Sequence, residues 1–371
     1  MHDTLEQGYE KDTMLVLLRH GQSTFNEQGL VQGCSDAARL TELGRKQARQ
    51  AARLLAWVEF DHVFVSPLRR ARRTALELSR QLPGIPPAQV RDELRENDLA
   101  EWVGRPFECV RIEQAERYRT WRLQPQQLRM RRRQGAGWTE FAPALDVRAR
   151  AEAFLADLQA HYRGKRLLAI AHGGINRAVM SAALGLPSSH LHTLGQSNCA
   201  ASCVSCVSGI WRLERLNITA SPGELPRIRE GAQRLLLLAT PELASELGER
   251  FLPDDVLSAG SGSAVGTQGE GWWHVVAGRL EEWKRRVLLV ADCDVLARLL
   301  AAVVGLRRAQ ALELRPDAYH VVQLPSEPAR ALLLCVNRSL RADPGLGIPQ
   351  GRPMGPAAAE HPSLPFTARV A

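Results

Sequence analysis

Two apolar runs of the chain each end in histidine and glycine. Leu15-Val16-Leu17-Leu18 leads into Arg19-His20-Gly21, and Arg166-Leu167-Leu168-Ala169-Ile170-Ala171 leads into His172-Gly173-Gly174. Runs of this kind predict short strands buried on both faces, and the glycines predict that each strand breaks there into a loop. Ligands of α/β sheets bind beyond the C-terminal ends of strands, so a guanidinium and two imidazoles would stand where an anion arrives. A lone histidine on an apolar face is more often a packed core residue. Two of them at strand ends, each followed by glycine, point to chemistry instead.

Other groups have suggestive spacing but weaker cases. Cys199-x3-Cys203-x2-Cys206 has the spacing of an iron–sulfur cluster site, yet it falls within expected antiparallel strands and reads as strand packing. Gly260-Ser261-Gly262-Ser263-Ala264-Val265-Gly266 lacks the Lys-Ser/Thr of a phosphate loop and reads as a plain glycine-rich loop. His190-x-His192 has no third ligand nearby in sequence, so no metal is expected. Arg129-Met130-Arg131-Arg132-Arg133 reads first as a solvated face, with a cationic lid over an anionic substrate as its functional alternative.

The elements that must position the histidines alternate. The first strand is followed by a helix over 45–55 with Ala48, Ala51, Ala52 and Leu55 on one face, then by a strand at His62–Ser66 and a helix over 68–78. After an Arg/Glu/Gln-rich insertion over 91–150 the rhythm resumes. It continues with a helix near 147–162, the second histidine strand, a helix from Asn176 to Leu184, and antiparallel strands at 198–207 and 210–216. This predicts an α/β fold with a largely parallel sheet and helices on both faces.

The boundaries read as a flexible tail over 1–12, a first domain over 13–220, a linker over 221–230, a second domain over 231–340 and a disordered tail over 341–371. A shift of 120 residues places Arg166–His172 over Arg286–Asp292, Gly185-Leu186 over Gly305-Leu306 and Asn217 over Asn337 without a gap. The second domain therefore reads as a shorter copy of the first. In it, Asp292 falls where His172 stands, and Ala239 and Thr240 fall where Arg19 and His20 stand.

The net charge of +8 over 371 residues admits nucleic acid, an anionic membrane surface or small phosphorylated molecules as partners. Seven unevenly spaced cysteines in a chain this large suit free thiols in a reducing compartment. The first residues lack a leader pattern and no apolar run reaches about 18 residues, so the expectation is a cytoplasmic protein without a membrane partner.

Taken in order, several motifs resemble those of the histidine phosphatase superfamily, in its phosphoglycerate-mutase-like branch. They are Leu18–Asn26, Gln32-Gly33 with Asp36, Leu40–Gly44, Ser66–Ala71, Leu94-Arg95-Glu96 and Ala171–Gly174. The resemblance covers the first domain and implies a three-layer α/β/α fold, neither metal nor cofactor, and a small phosphorylated metabolite as partner. No nucleic-acid partner is expected, and the oligomeric state is left open. The resemblance further implies that neutral His20 attacks phosphorus, that Arg19 and Arg70 fork onto the phosphate oxygens, and that His172 as imidazolium and the Gly173 N–H add positive potential. Glu96 would be the proton donor to the leaving oxygen, and Asn26 and Gln32 would hold phosphate oxygens. The expected reaction is hydrolysis of a phosphomonoester, with the second domain a degenerate, inactive member of a tandem. A mutase-type phosphotransferase and a non-catalytic phosphate-binding regulator are the alternatives.

Overall fold

The computed structural model describes residues 12–221, 234–258, 286–306, 311–324 and 331–340. Its first unit comprises β1 (Thr13–Arg19), α1 (Thr24–Glu27), α2 (Glu42–Leu55), β2 (His62–Val65), α3 (Arg69–Ser79) and β3 (Ala88–Val90). Then come α4 (Phe107–Glu113), α5 (Ala115–Leu123), β4 (Met130–Gln134), β5 (Gly137–Phe141), α6 (Pro143–His161), β6 (Arg166–Ala171), α7 (Gly173–Ala183), β7 (Ala201–Val207) and β8 (Ile210–Ile218). The second unit comprises β9 (Arg234–Ala239), α8 (Pro241–Phe251), β10 (Asp255–Ser258), β11 (Arg286–Val290), α9 (Cys293–Val304), β12 (Tyr319–Leu324) and β13 (Leu332–Arg338). The expected tail over 341–371, nearly all of the 1–12 tail, most of the 221–230 linker and the glycine-rich stretch Gly260–Gly266 lie outside the described residues.

β1 is the centre of the first unit because both of its faces are apolar. Leu15 and Leu17 pack with Phe154, Leu158, Ile175 and Val179 of α6 and α7. Val16 and Leu18 pack with Ala48, Leu55, Ala71 and Leu78 of α2 and α3 on the other face. Each fully buried leucine contributes about 2 kcal/mol, so the strand is anchored from both sides. It pairs in parallel with β6, which brings Arg19 level with Ala171 and the two histidines to one sheet end.

The two units share one sheet. Among the described residues its order is β10-β11-β9-β12-β13-β8-β7-β1-β6-β2-β3, parallel on both flanks and antiparallel through the middle. One apolar cluster runs across the joint, from Leu213 and Leu216 to Leu333 and Val336. Two asparagines with left-handed backbone, Asn217 at φ 58° and Asn337 at φ 55°, close it reciprocally. Asn217 Nδ2 donates to Leu334 O at 2.8 Å, and Asn337 Nδ2 donates to Glu214 O at 2.7 Å.

Several expectations shift. The helix after His172 starts at Gly173, three residues earlier than the apolar pattern indicates, because Gly173 and Gly174 carry no side chain to extend that pattern. The antiparallel strand expected from 198 begins at Ala201. Strand register also moves the comparison of the units by one residue. Ala239 pairs with Val290 as Leu18 pairs with Ile170, so Thr240 and Pro241, not Ala239 and Thr240, stand level with Arg19 and His20. The arginine run enters β4 of a hairpin with Arg129, Arg131 and Arg133 exposed, as a solvated face would have them, while Arg132 covers the Phe141 ring at 4.6 Å and lies 3.7 Å from Asp98.

Candidate active site

The loop leaving β1 is held open by close contact between two glycines. A Cβ on Gly21 would stand 2.3 Å from Gly44 O, and one on Gly44 would stand 2.1 Å from Gln22 O. The first turn of α2 thus lies directly on the loop, with Thr41 capping the helix and its hydroxyl donating to Gln22. This contact accounts for the Leu40–Gly44 motif.

His20 is buried, and its Nδ1 donates to Gly21 O at 2.7 Å. Since a carbonyl can only accept, the proton resides on Nδ1 and the Nε2 lone pair is left for reaction. His172 faces it across 5.1 Å between ring centroids, with Nε2 hydrogen-bonded to Ser66 Oγ at 2.7 Å. Burial first, and then Arg70, push both imidazoles well below the ordinary histidine range, with Arg19 acting in the same sense. His20 is therefore neutral, as a nucleophile needs to be. His172 is neutral as well, which departs from the expected imidazolium: desolvation and two arginines disfavour a further cation unless a phosphate dianion reverses the local field.

Arg70 is buried, donating to Gly33 O at 2.8 Å and Ser35 O at 2.7 Å, while its Nε has no partner among the described residues. Gly33, at φ 49°, gives that loop its shape, with Val103 and the Leu99 backbone close by. Arg19 donates to Gln196 O at 2.6 Å. Asn26 and Gln32 are brought together by Ser23, whose hydroxyl lies 2.8 Å from Gln32 Oε1 and 3.2 Å from Asn26 Oδ1. With their oxygens engaged, the two amide nitrogens carry no hydrogen bond among the described residues.

Glu96 lies at the start of α7. Its carboxylate accepts N–H bonds from Asn97 at 2.8 Å and from Gly174 and Ile175 at 3.1 Å each. A Cβ on Gly174 would stand 2.4 Å from Glu96 Oε1, so glycine admits the carboxylate. The neighbouring acids go elsewhere: Glu93 pairs with Arg91, Asp98 lies near Arg132, and Glu101 pairs with Arg117. The Gly173 N–H, at the helix's first position, has no intrahelical acceptor.

Every candidate residue named from the sequence thus lies around one end of the sheet. Sequence reasoning missed Ser66, which orients His172, and Asn198, whose Nδ2 reaches His20 O at 3.0 Å and Asn26 Oδ1 at 3.1 Å. It also missed Thr74, whose hydroxyl accepts the Gly21 N–H at 3.1 Å. Ser66 had a signal, a polar residue ending an apolar strand before proline. Asn198 and Thr74 had none.

Residues 15–219 match the family profile of the histidine phosphatase superfamily (branch 1). The chain belongs to that superfamily. Among its curated relatives of this family, a 2-carboxy-D-arabinitol-1-phosphatase from Triticum aestivum is 34% identical over 194 residues, 51% of this chain and 36% of the relative. A glucosyl-3-phosphoglycerate phosphatase from Mycobacterium tuberculosis is 31% identical over 49% of this chain and 79% of its own length. A solved structure described as mycobacterial hydrolase 1 superposes with a TM-score of 0.50 at 30% identity, covering 56% of this chain and 99% of that one. The chain spans little more than a third of the plant phosphatase it matches. No helix among the described residues is long and apolar enough to cross a membrane.

Proposed function

We propose that the protein is a phosphomonoesterase that acts on a small phosphorylated metabolite through a phosphohistidine at His20. The observation that carries this reading is the His20–His172 pair. One imidazole has its Nδ1 proton fixed on Gly21 O, so its Nε2 is nucleophilic, and it lies 5.1 Å by ring centroid from the other, among two arginines. In the first half-reaction Nε2 bonds to phosphorus as the P–O ester bond breaks, and the leaving alkoxide takes a proton through Glu96. In the second, Glu96 receives a proton from water as its oxygen displaces His20. In the first step the carboxylate relays the proton borne by a monoester monoanion, and in the second it accepts the proton of the attacking water. Arg19, Arg70, Asn26, Gln32, His172 and the Gly173 N–H are the proposed donors to the equatorial oxygens.

Hydrolysis is favoured over mutase chemistry because the segment after Glu96 reads Ala100-Glu101-Trp102-Val103-Gly104, not the Glu-Arg-x-Tyr-Gly of mutases, and the relatives above are named phosphatases. The test is release of inorganic phosphate from a panel of phosphorylated sugars and sugar acids. Product that is only an isomer of the substrate would favour the mutase, and no turnover of any member would favour the regulator.

The second unit is proposed to be a degenerate copy without a site of its own, serving as a brace. The strand order supports the copy, and so do the mirrored hydrogen bonds of Asn217 and Asn337. The bracing is local: Gly195 N donates to Leu333 O at 2.7 Å and Leu333 N to Thr193 O at 2.8 Å, next to the carbonyl that receives Arg19.

A further inference from the structure

Among the described residues, two guanidiniums beside the site have no acidic partner. Arg177, one turn into α7, donates from Nε to Leu194 O at 2.8 Å, and its terminal nitrogens make no hydrogen bond or ion pair among the described residues. Arg122 lies on α5 next to Trp121, whose ring meets that of His192 edge-on at 4.6 Å, and it too forms no hydrogen bond or ion pair among the described residues. Arg177 and Trp121 therefore border the segment 192–196, whose Gln196 carbonyl receives Arg19, and Arg122 follows Trp121 on α5.

The clustering is close. An ideal Cβ on Gly173 would stand 3.6 Å from Arg177 Nη1 and 3.6 Å from Arg19 Nε, so two cations flank the first residue of the same helix. Burial, and then Arg19, lower Arg177 to about 10, with Arg122 acting in the same direction and Glu96 against. Glu96 is not its ion-pair partner, since the carboxylate is engaged by three backbone N–H groups. Like charges gathered out of water oppose folding unless an anion joins them. The transferred phosphoryl group already has donors from Arg19, Arg70, Asn26, Gln32, His172 and Gly173.

We propose that Arg177 and Arg122 form a subsite for a second anionic group, a carboxylate or a further phosphate, carried on the alcohol half of the substrate. The assignment rests on the phosphatase reading. It selects phosphorylated acids and bisphosphates over phosphate esters of neutral alcohols.

A matched set of probes tests it: glycerol 3-phosphate, 3-phosphoglycerate, which replaces a CH2OH by carboxylate, and glycerol 1,3-bisphosphate. The full-length protein is expected to favour at least one of the latter two in kcat/KM by about tenfold or more, the size of one charge-assisted contact. Which one it favours separates carboxylate from phosphate. R177Q and R122Q are each expected to erase most of that preference, and R177K to restore part of it by keeping the charge. R122Q alters a different helix, α5, and guards against a folding artefact at Arg177. Absence of preference, or equal losses on all three probes, overturns the subsite. If no probe is hydrolysed, the phosphatase reading is what fails. Calorimetric titration of the same three compounds into the parent and R177Q then decides the subsite: selective loss of affinity for the doubly anionic compounds supports it, and unchanged affinity overturns it.

Discussion

β1 and β9 hold matching places in their units, and they end differently. Each is flanked by a parallel strand on one side and an antiparallel strand on the other, and each is buried on both faces. β1 runs out into Arg19 and His20, and a glycine contact keeps the following loop clear of the sheet end. β9 runs into Thr240, which donates to Pro316 O at 2.7 Å, and Pro241 starts α8 at once. At the neighbouring strand, His172 is the N-cap position of α7 and Asp292 that of α9. The same backbone thus presents two imidazoles and a guanidinium in one unit, and a threonine, a proline and an aspartate in the other. The difference teaches that the sheet is a mount, and that the chemistry depends on a few side chains and on the loop that leaves room for them.

The largest effect is expected where that contrast is sharpest. H20A should lower kcat/KM by about 10⁶-fold, the order seen when a covalent nucleophile is removed. D292A, at the equivalent end of the second unit, should change it less than about twofold, since nothing catalytic is proposed there. Steady-state kinetics on both variants breaks the comparison if D292A approaches the loss of H20A.

Glycine 174 should come next. G174A drives a methyl group into Glu96 Oε1, and kcat/KM should fall by about 10²-fold, the scale of a displaced acid–base group, while the melting temperature changes little. Parallel loss of fold and activity would mean that Glu96 acts only as a helix cap.

The joint between the units gives a smaller, symmetric prediction. N217A and N337A each remove a reciprocal side-chain bond and leave a buried carbonyl unpaired, so each should cost about 1–3 kcal/mol in denaturant unfolding. Similar losses sharpen the two-fold reading. A large loss in one and none in the other would break it.

The pH dependence is the smallest effect, and its sign is fixed. The lowered pKa of His20 keeps the nucleophile neutral below the ordinary value of 6.5, so kcat/KM should hold through pH 6.5 on acidification and fall only at lower pH. In the second unit, burial takes His320 down to about 3. An unfolded histidine binds its proton near pH 6.5 while the folded one refuses it, so stability present above pH 6.5 is lost progressively toward about pH 3. Unfolding of H320N, which retains an acceptor for the Asn337 N–H, should be less acid-sensitive than that of the parent.

Much of this was legible in the sequence. Apolar runs ending in His-Gly gave β1 and β6, and the ordered motifs named the residues that surround the sheet end. Glu96 could be chosen among four nearby acids only by motif, and the structure supplies the reason: it is the one that meets α7. What stayed hidden depended on packing between distant segments. Asn198 reaches His20 across 178 positions of sequence, and no spacing rule relates them. The one-residue offset of β9 arose because apolar leucines align equally well in neighbouring registers, whereas paired strands do not. Arg122 and Arg177 were lost among many arginines, since charge patterns do not show which cation lacks a partner.

The central claim is that one histidine, in the first unit, carries the phosphoryl group. Incubating the protein with a ³²P-labelled phosphomonoester, quenching in base and mapping the label tests it directly. The account predicts a base-stable, acid-labile phosphoprotein labelled at His20, absent from H20A. Label on a residue of the second unit, or unlabelled protein that releases phosphate as fast from H20A as from the parent, would contradict it.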